Sequence, residues 1–523
     1  MDGAETLMRT LAGAGIDVCF ANPGTTELDL VRALDTVGGV RPVLGLFEGV
    51  CSGAADGFAR MAGRPALTLL HLGPGFANAG ANLHNARRAG TPMVVVVGDH
   101  PTTHRGYGAP LESDIESFAR PVSKWVRTSA SAAGVAADAH EAVVAATAPP
   151  AGVATLIVPA DCAWMEAPEP HPAHLARPDA RRAPAEDAEV DAAARALAES
   201  GQGALLLGGT ALTERGLQAA GRVREATGCL LLCETFPARM ERGGRLPSAQ
   251  RLPYFPEDAT AALGRAERLV LAGSPAPVAF FQYPGTPNEL TPPDVPVLAL
   301  ATPDQDAADA LERLAERVAA EASSQGGRSA TRVAGAPSAP PPGPLTPDAL
   351  VGTLAAAQPA GAVVVDEGLT LSEPYFGASA GAAPHTYLAL TGGAIGIGLP
   401  LATGAAIACP DRPVLLLQAD GSALYTLQAL WTQAREGLDV TTVICANRSY
   451  RILQVELGRA GVTEPPPSAA AFTELTDPAP DWVALAAGMG VPGVQVGTVE
   501  ELSRELTRAL AEPGPHLIEA LVA

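Results

Sequence analysis

The stretch 413-PVLLLQADGSALYTLQALWTQAREGLDVTTVICANRSY-450 decides the fold. Val414 to Ala419 is a short apolar run bounded by Pro413, the pattern of a strand buried on both faces of a parallel sheet. Gly421 permits a sharp turn, and Ser422 is placed to cap a helix from Ala423 to about Glu436, which Gly437 stops. Asp439 to Ala446 reads as the next buried strand. Asp420 and Asn447 then stand at the carboxyl ends of adjacent parallel strands, where open α/β sheets bind ligands. A carboxylate, a side-chain amide and the backbone carbonyls that follow are hard oxygen donors, suited to a magnesium ion that also holds a diphosphate. A helix N-terminus behind Gly421 would add N–H donors for phosphate oxygens. The same residues also fit a plain turn and a strand-end cap, so the rest of the chain has to decide.

With 523 residues, two to four domains are expected. The composition is globular, 47% hydrophobic and 17% charged, and a net charge of −21 argues against a nucleic-acid surface or an anionic membrane as partner. The acidic start, Met1 to Glu5, has no secretory-signal pattern, and no apolar run is long enough for a membrane span. The seven cysteines are scattered, mostly inside apolar segments, and read as reduced core residues of a cytoplasmic protein.

Three α/β blocks emerge. The first, residues 1–166, has apolar runs at Val18–Ala21, Val43–Leu46, Ala66–His71, Met93–Val97 and Ala154–Val158, with helical stretches between them. The second, 185–321, has runs at Ala204–Leu207, Leu230–Leu232, Leu269–Leu271 and Val297–Leu300. The third, 345–523, has Ala362–Val365, Val414–Gln418, Thr441–Cys445 and Leu517–Ala520. Residues 167–184, rich in Pro, Ala and His, and 322–344, with Ser-Ser-Gln-Gly-Gly and a Pro-Pro-Pro run, read as connectors, the first extended and the second flexible or polyproline-like. The expected architecture is three doubly wound parallel-sheet domains, with a ligand held between the first and third.

The first block offers three candidate loops. Asn22-Pro23-Gly24-Thr25-Thr26-Glu27 follows the first strand, with Thr25 or Thr26 placed to cap the helix after it. Glu48 comes after the run Val43 to Phe47 and before a small-residue helix; a carboxylate wedged there is poorly solvated and ready to exchange a proton. His71-Leu72-Gly73-Pro74-Gly75 ends another strand, its glycines admitting a close ligand and His71 able to shuttle a proton.

On these residues the chain resembles the thiamine diphosphate-dependent enzymes of the pyruvate oxidase and decarboxylase superfamily, with the benzoylformate decarboxylases and acetolactate synthases closest. The likeness runs over nearly the whole chain. The family's diphosphate motif appears as Ala419-Asp420-Gly421 with Ala446-Asn447, and its loops match Asn22-Pro23-Gly24 and Gly392-Gly393-Ala394-Ile395-Gly396. The resemblance implies a pyrimidine-binding, a middle and a diphosphate-binding domain in that order. It makes Asp420, Asn447 and the Ser449 carbonyl Mg2+ ligands, with Gly421 and Ser422 at the diphosphate. Glu48 becomes the partner of the pyrimidine nitrogen, and Ile395 the bulky residue that bends the cofactor. It also implies a site built between subunits, hence a homodimer at least and a homotetramer by analogy. A flavin, FAD, is held in the middle domain by some relatives; no pattern from Ala185 to Ala320 speaks for it here.

The substrate implied is a 2-oxo acid. His71 matches the decarboxylases' active-site histidine, Thr25 their substrate-binding serine, and Leu111 a position usually Gln in acetolactate synthases. Phe281, in Phe280-Phe281-Gln282-Tyr283, replaces the decarboxylases' second histidine, and His100 or His104 could substitute for it. The leading expectation is a decarboxylase or carboligase for an apolar or aromatic 2-oxo acid. The alternatives are an acetolactate synthase-like carboligase using pyruvate and a catalytically degenerate scaffold or regulatory subunit of the same fold.

Overall fold

The computed structural model describes residues 1–322, 335–462, 464 and 466–522. Of the expected second connector, 323–334 lies outside the described residues.

Eighteen strands form three sheets among the described residues. The first contains β1 (Val18–Ala21), β2 (Arg41–Leu44), β3 (Ala66–His71), β4 (Met93–Asp99), β5 (Trp125–Thr128) and β6 (Val153–Pro159), in the order β2-β1-β3-β4-β6-β5 and parallel throughout. The second contains β7 (Gly203–Leu207), β8 (Leu230–Cys233), β10 (Gln250–Arg251), β11 (Arg268–Ala272) and β12 (Val297–Ala301), ordered β10-β8-β7-β11-β12 and also parallel. The third contains β13 (Val363–Glu367), β14 (His385–Ala389), β15 (Val414–Ala419), β16 (Val440–Ala446), β17 (Gly493–Val496) and β18 (His516–Leu521) in the order β17-β18-β16-β15-β13-β14. Its far edge is β9 (Met240–Arg242), which comes from the middle segment and pairs antiparallel with β14.

The apolar runs are continuous because both faces of the sheets are covered. Along β4, Val94 and Val96 enter one core with Leu7, Leu11 and Val143, while Val95 and Val97 enter another with Phe58 and Leu83. Along β13, Val363 and Val365 face one core and Val364 the other. Two helices tie the first and third domains together, Glu48–Ala62 and Gly398–Ala408. They meet at glycines: a Cβ on Gly57 would lie 2.0 Å from the Leu401 carbonyl oxygen, and one on Gly404 1.8 Å from that of Ala54.

Several expectations need correction. The helix after Asp420 is not continuous. A single turn, Asp420–Ala423, is followed by turns and then by Ala429–Glu436. Ser422 therefore caps nothing, and its Oγ is buried without a partner. Gly421 is required less by a turn than by Tyr450, whose ring a Cβ there would meet at 2.6 Å. The second strand begins at Arg41 on the sheet edge, where Pro42 is tolerated, so Gly45, Leu46 and Phe47 separate it from Glu48. Strands β5, β9, β10, β14 and β17 were not expected; most are short or lie at sheet edges. Nor is 167–184 merely extended: it carries a turn of 3-10 helix at Pro172–Leu175, and Leu175 packs against the backbone at Gly13.

All seven cysteines are free, six of them buried. No helix of the described residues is long and apolar enough to cross a membrane.

Candidate active site

In the first domain, the loops after β1, β2 and β3 converge. A Cβ on Gly24 would lie 2.3 Å from the His71 ring, and one on Gly75 would be 3.3 Å from Glu48 Oε1 and 3.4 Å from His71 Cβ. Asn22, Pro23, Gly24, Glu48 and His71 thus share one end of the sheet. Thr25 is exposed beside them. Glu48 is half-buried as the first residue of its helix, and Asn78 Nδ2 donates to its Oε2 at 3.0 Å.

Glu27 organises this corner. It is fully buried, accepts the Gly24 N–H on Oε2 at 2.9 Å, and places the same oxygen 2.7 Å from His71 Nδ1. Thr26 Oγ1 donates to Glu27 Oε1 at 2.5 Å and lies 3.2 Å from the same ring nitrogen. Neither threonine caps; the carboxylate of Glu27 does so instead. Gly98 on β4 makes room for it, since a Cβ there would overlap Glu27 Oε1 at 1.8 Å. A carboxylate on Nδ1 fixes the proton there and leaves Nε2 for an outside partner.

The third domain brings its own candidates together. Asp420 is 2% exposed; its Oδ1 accepts the Gly421 N–H at 2.8 Å and its Oδ2 the Arg448 N–H at 2.6 Å. The Gly421 donor expected for phosphate is therefore already engaged. Asn447 Oδ1 accepts the Ser449 N–H at 3.0 Å, and Ser449 sits in a bridge opposite Glu474. The loop with Gly393 and Ile395 leans on the same corner through Thr426 Oγ1, which donates to the Gly396 carbonyl at 2.7 Å. Burial pushes the Asp420 carboxyl above the usual carboxylate range.

Strain accumulates at both corners. Among the described residues, the non-glycine residues with positive φ are Leu72 (52°), Leu369 (52°) and Arg448 (53°); the first and last directly follow His71 and Asn447, and Leu369 stands two residues after Glu367.

Other candidates stand apart. Leu111 is 41% exposed, two residues from Ser113, whose Oγ occupies the space beside Gly73. Phe281 is 55% exposed and its neighbour Phe280 41%; the Phe280 ring packs on Gly393, Phe236 and Tyr254. His100 and His104 stack edge to face in the loop after β4. A cleft of about 1130 Å3 between the first and middle domains is lined by Arg60, Glu234, Phe236, Phe280 and Gly392, and by none of the expected site residues. No hydrogen bond among the described residues joins Glu48 or His71 to Asp420 or Asn447.

Models of two known domains match this chain: the thiamine pyrophosphate enzyme N-terminal TPP binding domain over residues 1–118 and the C-terminal TPP binding domain over 376–520. Over its full length the chain is 51% identical to the Mycobacterium tuberculosis protein named "Putative acetolactate synthase large subunit IlvX", covering 99% of it. The chain belongs to the thiamine pyrophosphate enzymes. It is also 30% identical to a Pseudomonas aeruginosa benzoylformate decarboxylase, over 97% of this chain and 96% of that one. A solved structure of the thiamine diphosphate-dependent 4-hydroxybenzoylformate decarboxylase of Rhodococcus jostii RHA1 superimposes with a TM-score of 0.89 at 27% identity, covering 100% of this chain and 99% of that chain. The chain is thus a thiamine diphosphate-dependent enzyme of the decarboxylase and acetolactate synthase family.

For a thiamine pyrophosphate enzyme the residues present fit the cofactor. Asp420 is a buried carboxylate whose charge burial disfavours, so a divalent cation there would compensate it. With the Asn447 amide and the Ser449 carbonyl it would offer an all-oxygen donor set. The described residues hold no cluster of three His, Cys, Asp or Glu arranged for a metal, so a cation here would depend on that mixed set. The orphaned Ser422 Oγ is a donor in waiting at the same turn.

Sequence reasoning missed Glu27, and also Asn85 and Glu367, which bond the backbone of the loop carrying Gly393 and Ile395, and Gln418, which donates to Glu367. Gln418 carried a signal, a polar residue inside an apolar strand. Glu27 carried one too, three residues after Gly24 in a capping-box spacing.

Proposed function

We propose that this enzyme decarboxylates a 2-oxo acid with an apolar or aromatic side chain and releases the product as an aldehyde or couples it to a second carbonyl. The observation that carries the reading is the Glu27–His71 pair beside Glu48: a histidine oriented by a buried carboxylate, its other nitrogen free for substrate. When bound, thiamine diphosphate supplies a carbon acid that takes up the 2-oxo carbonyl and stores the electron pair left by carbon dioxide. Glu48 holds a proton at its carboxyl for the pyrimidine nitrogen. His71 Nε2 exchanges one with substrate, and Thr25 offers a hydroxyl to the substrate carboxylate. Asp420, Asn447 and the Ser449 carbonyl hold Mg2+, and Gly393 and Ile395 orient the rings. Leu111 and Phe281, exposed in the single chain, would be apolar walls only once a partner subunit closes over them.

No hydrogen bond among the described residues joins the two corners, which supports a site completed between subunits: Glu48 of one facing Asp420 of the other, in a homodimer at minimum and a homotetramer by analogy. A flavin stays possible in the middle domain but has no support there: the helix Glu214–Thr227 is capped by its own Thr213 and begins with Glu214, and Glu234 crowds the turn at Gly208.

The 51% identical relative supports a second reading, an acetolactate synthase-like carboligase acting on pyruvate. One assay panel separates the two. Purified protein with thiamine diphosphate and Mg2+ is given pyruvate, branched 2-oxo acids, phenylpyruvate and benzoylformate, with carbon dioxide, aldehyde and acyloin scored separately. Turnover of the aromatic or branched acids is expected; acetolactate from pyruvate alone contradicts the first reading, and no turnover of any acid favours the degenerate scaffold.

A further inference from the structure

The loop 391–398, which carries Gly393 and Ile395, is gripped from two sides by two buried polar side chains that belong to different domains. From the first domain, Asn85, fully buried on the helix Leu72–Ala89, accepts the N–H groups of Gly392 (3.1 Å) and Ala394 (3.3 Å) on Oδ1 and donates from Nδ2 to the Ala394 carbonyl at 2.8 Å. From the third, Glu367, 1% exposed at the end of β13, accepts the N–H groups of Gly396 (2.6 Å), Ile397 (3.3 Å) and Gly398 (2.6 Å) and the Gln418 amide at 3.0 Å. Ile395 is the residue between the two grips. Neither polar group needs to be there for packing alone. A buried carboxylate is costly, and this one is offset only by backbone donors of the loop and by Gln418, two residues before Asp420.

The close fit is visible on both sides. A Cβ on Gly392 would lie 2.6 Å from Asn85 Oδ1, and one on Gly398 would meet Gln418 Oε1 at 2.1 Å and Glu367 Oε2 at 2.8 Å.

We propose that Asn85 and Glu367 are positioning residues that fix where Ile395 stands, and that through Gln418 Glu367 keeps this loop in register with the Asp420 corner. The proposal rests on the reading that Ile395 orients the cofactor rings. Glu367→Gln keeps size but puts an NH2 against loop N–H groups; Asn85→Leu keeps size and removes both the acceptor of the Gly392 and Ala394 N–H groups and the donor to the Ala394 carbonyl.

The test has two readouts. The first is amide hydrogen exchange of the cofactor-free protein. Glu367→Gln should deprotect Gly396–Gly398, and Asn85→Leu should deprotect the Gly392–Ala394 side; unchanged protection of both overturns the clamp. The second is measured on the protein loaded with thiamine diphosphate and Mg2+: the rate of deuterium exchange at the cofactor's thiazolium C2, beside the cofactor Kd and the Tm. A loss of about 10²-fold in C2 exchange, with Kd within a few-fold, is expected for Glu367→Gln, as a displacement of about 1 Å can cost that much. An unchanged C2 exchange rate, or a loss that only follows Kd or Tm, overturns a positioning role. If the wild-type protein binds no thiamine diphosphate, the functional reading fails, while amide exchange still decides the clamp.

Discussion

The two corners of the proposed site arise from the same local pattern, a parallel strand followed by a tight turn and a helix, yet they use their carboxylates differently. In the first domain, Glu27 is spent on a histidine and Glu48 is left half-open with a single side-chain partner. In the third, Asp420 and Glu367 take backbone N–H groups from the turns around them. The first corner keeps groups that can exchange a proton; the second fixes backbone and offers oxygen to a cation. Fold alone dictates neither role. The side chains that meet the strand ends do.

Substitutions at the two corners should therefore fail differently. Glu48→Ala should lower kcat by about 10²–10⁴-fold, the range for lost general acid–base help, with the Kd for thiamine diphosphate changed only a few-fold. Asp420→Ala should instead weaken cofactor binding at least about 10²-fold, beyond what the loss of an outer partner costs a metal site, and chelation of Mg2+ should mimic it in the native protein. Equal losses of kcat and affinity in both variants would erase the distinction.

A smaller effect sharpens the first corner. Glu27→Gln leaves His71 in place but removes the carboxylate that fixes its tautomer. A loss of about 10-fold in kcat with cofactor affinity retained is expected; wild-type kcat would reduce Glu27 to a cap.

The smallest effect tests a carboxylate belonging to neither corner. Burial pushes Glu234 in the middle domain from 4.5 up to about 7. The folded protein then holds this proton more tightly than the unfolded chain, so the stability it contributes is complete below the unfolded value and is lost as pH rises through about 7. Glu234→Gln should narrow the fall in Tm between about pH 5 and about pH 8 relative to wild type, without altering kcat.

Much of this was legible in the sequence because strands buried on both faces are written as apolar runs, as in Val414–Leu417 and Met93–Val97, and because Asp420, Asn447 and Glu48 follow such runs. What the sequence hid depends on contacts between distant segments. Gln250–Arg251 and Met240–Arg242 are strands only because β8 and β14 offer them an edge. Ser422 lies in a turn because the chain bends again before Ala429. Asn85 and Glu367 looked like ordinary polar residues, since nothing local announces a loop 309 residues from the first and 29 from the second that needs their hydrogen bonds. Phe280 and Phe281 are equivalent on paper; packing against Gly393 selects the former.

The central claim is that these corners are the two ends of one cofactor site shared between subunits. Its most direct test is complementation. Glu48→Ala and Asp420→Ala chains, each inactive alone, are co-expressed with different tags and purified as the mixed species. In a two-fold arrangement one of the two sites then regains both native residues, and roughly half of wild-type activity should return. A mixed species as inactive as its parents would contradict the account, because it would place Glu48 and Asp420 in the service of a site within a single chain.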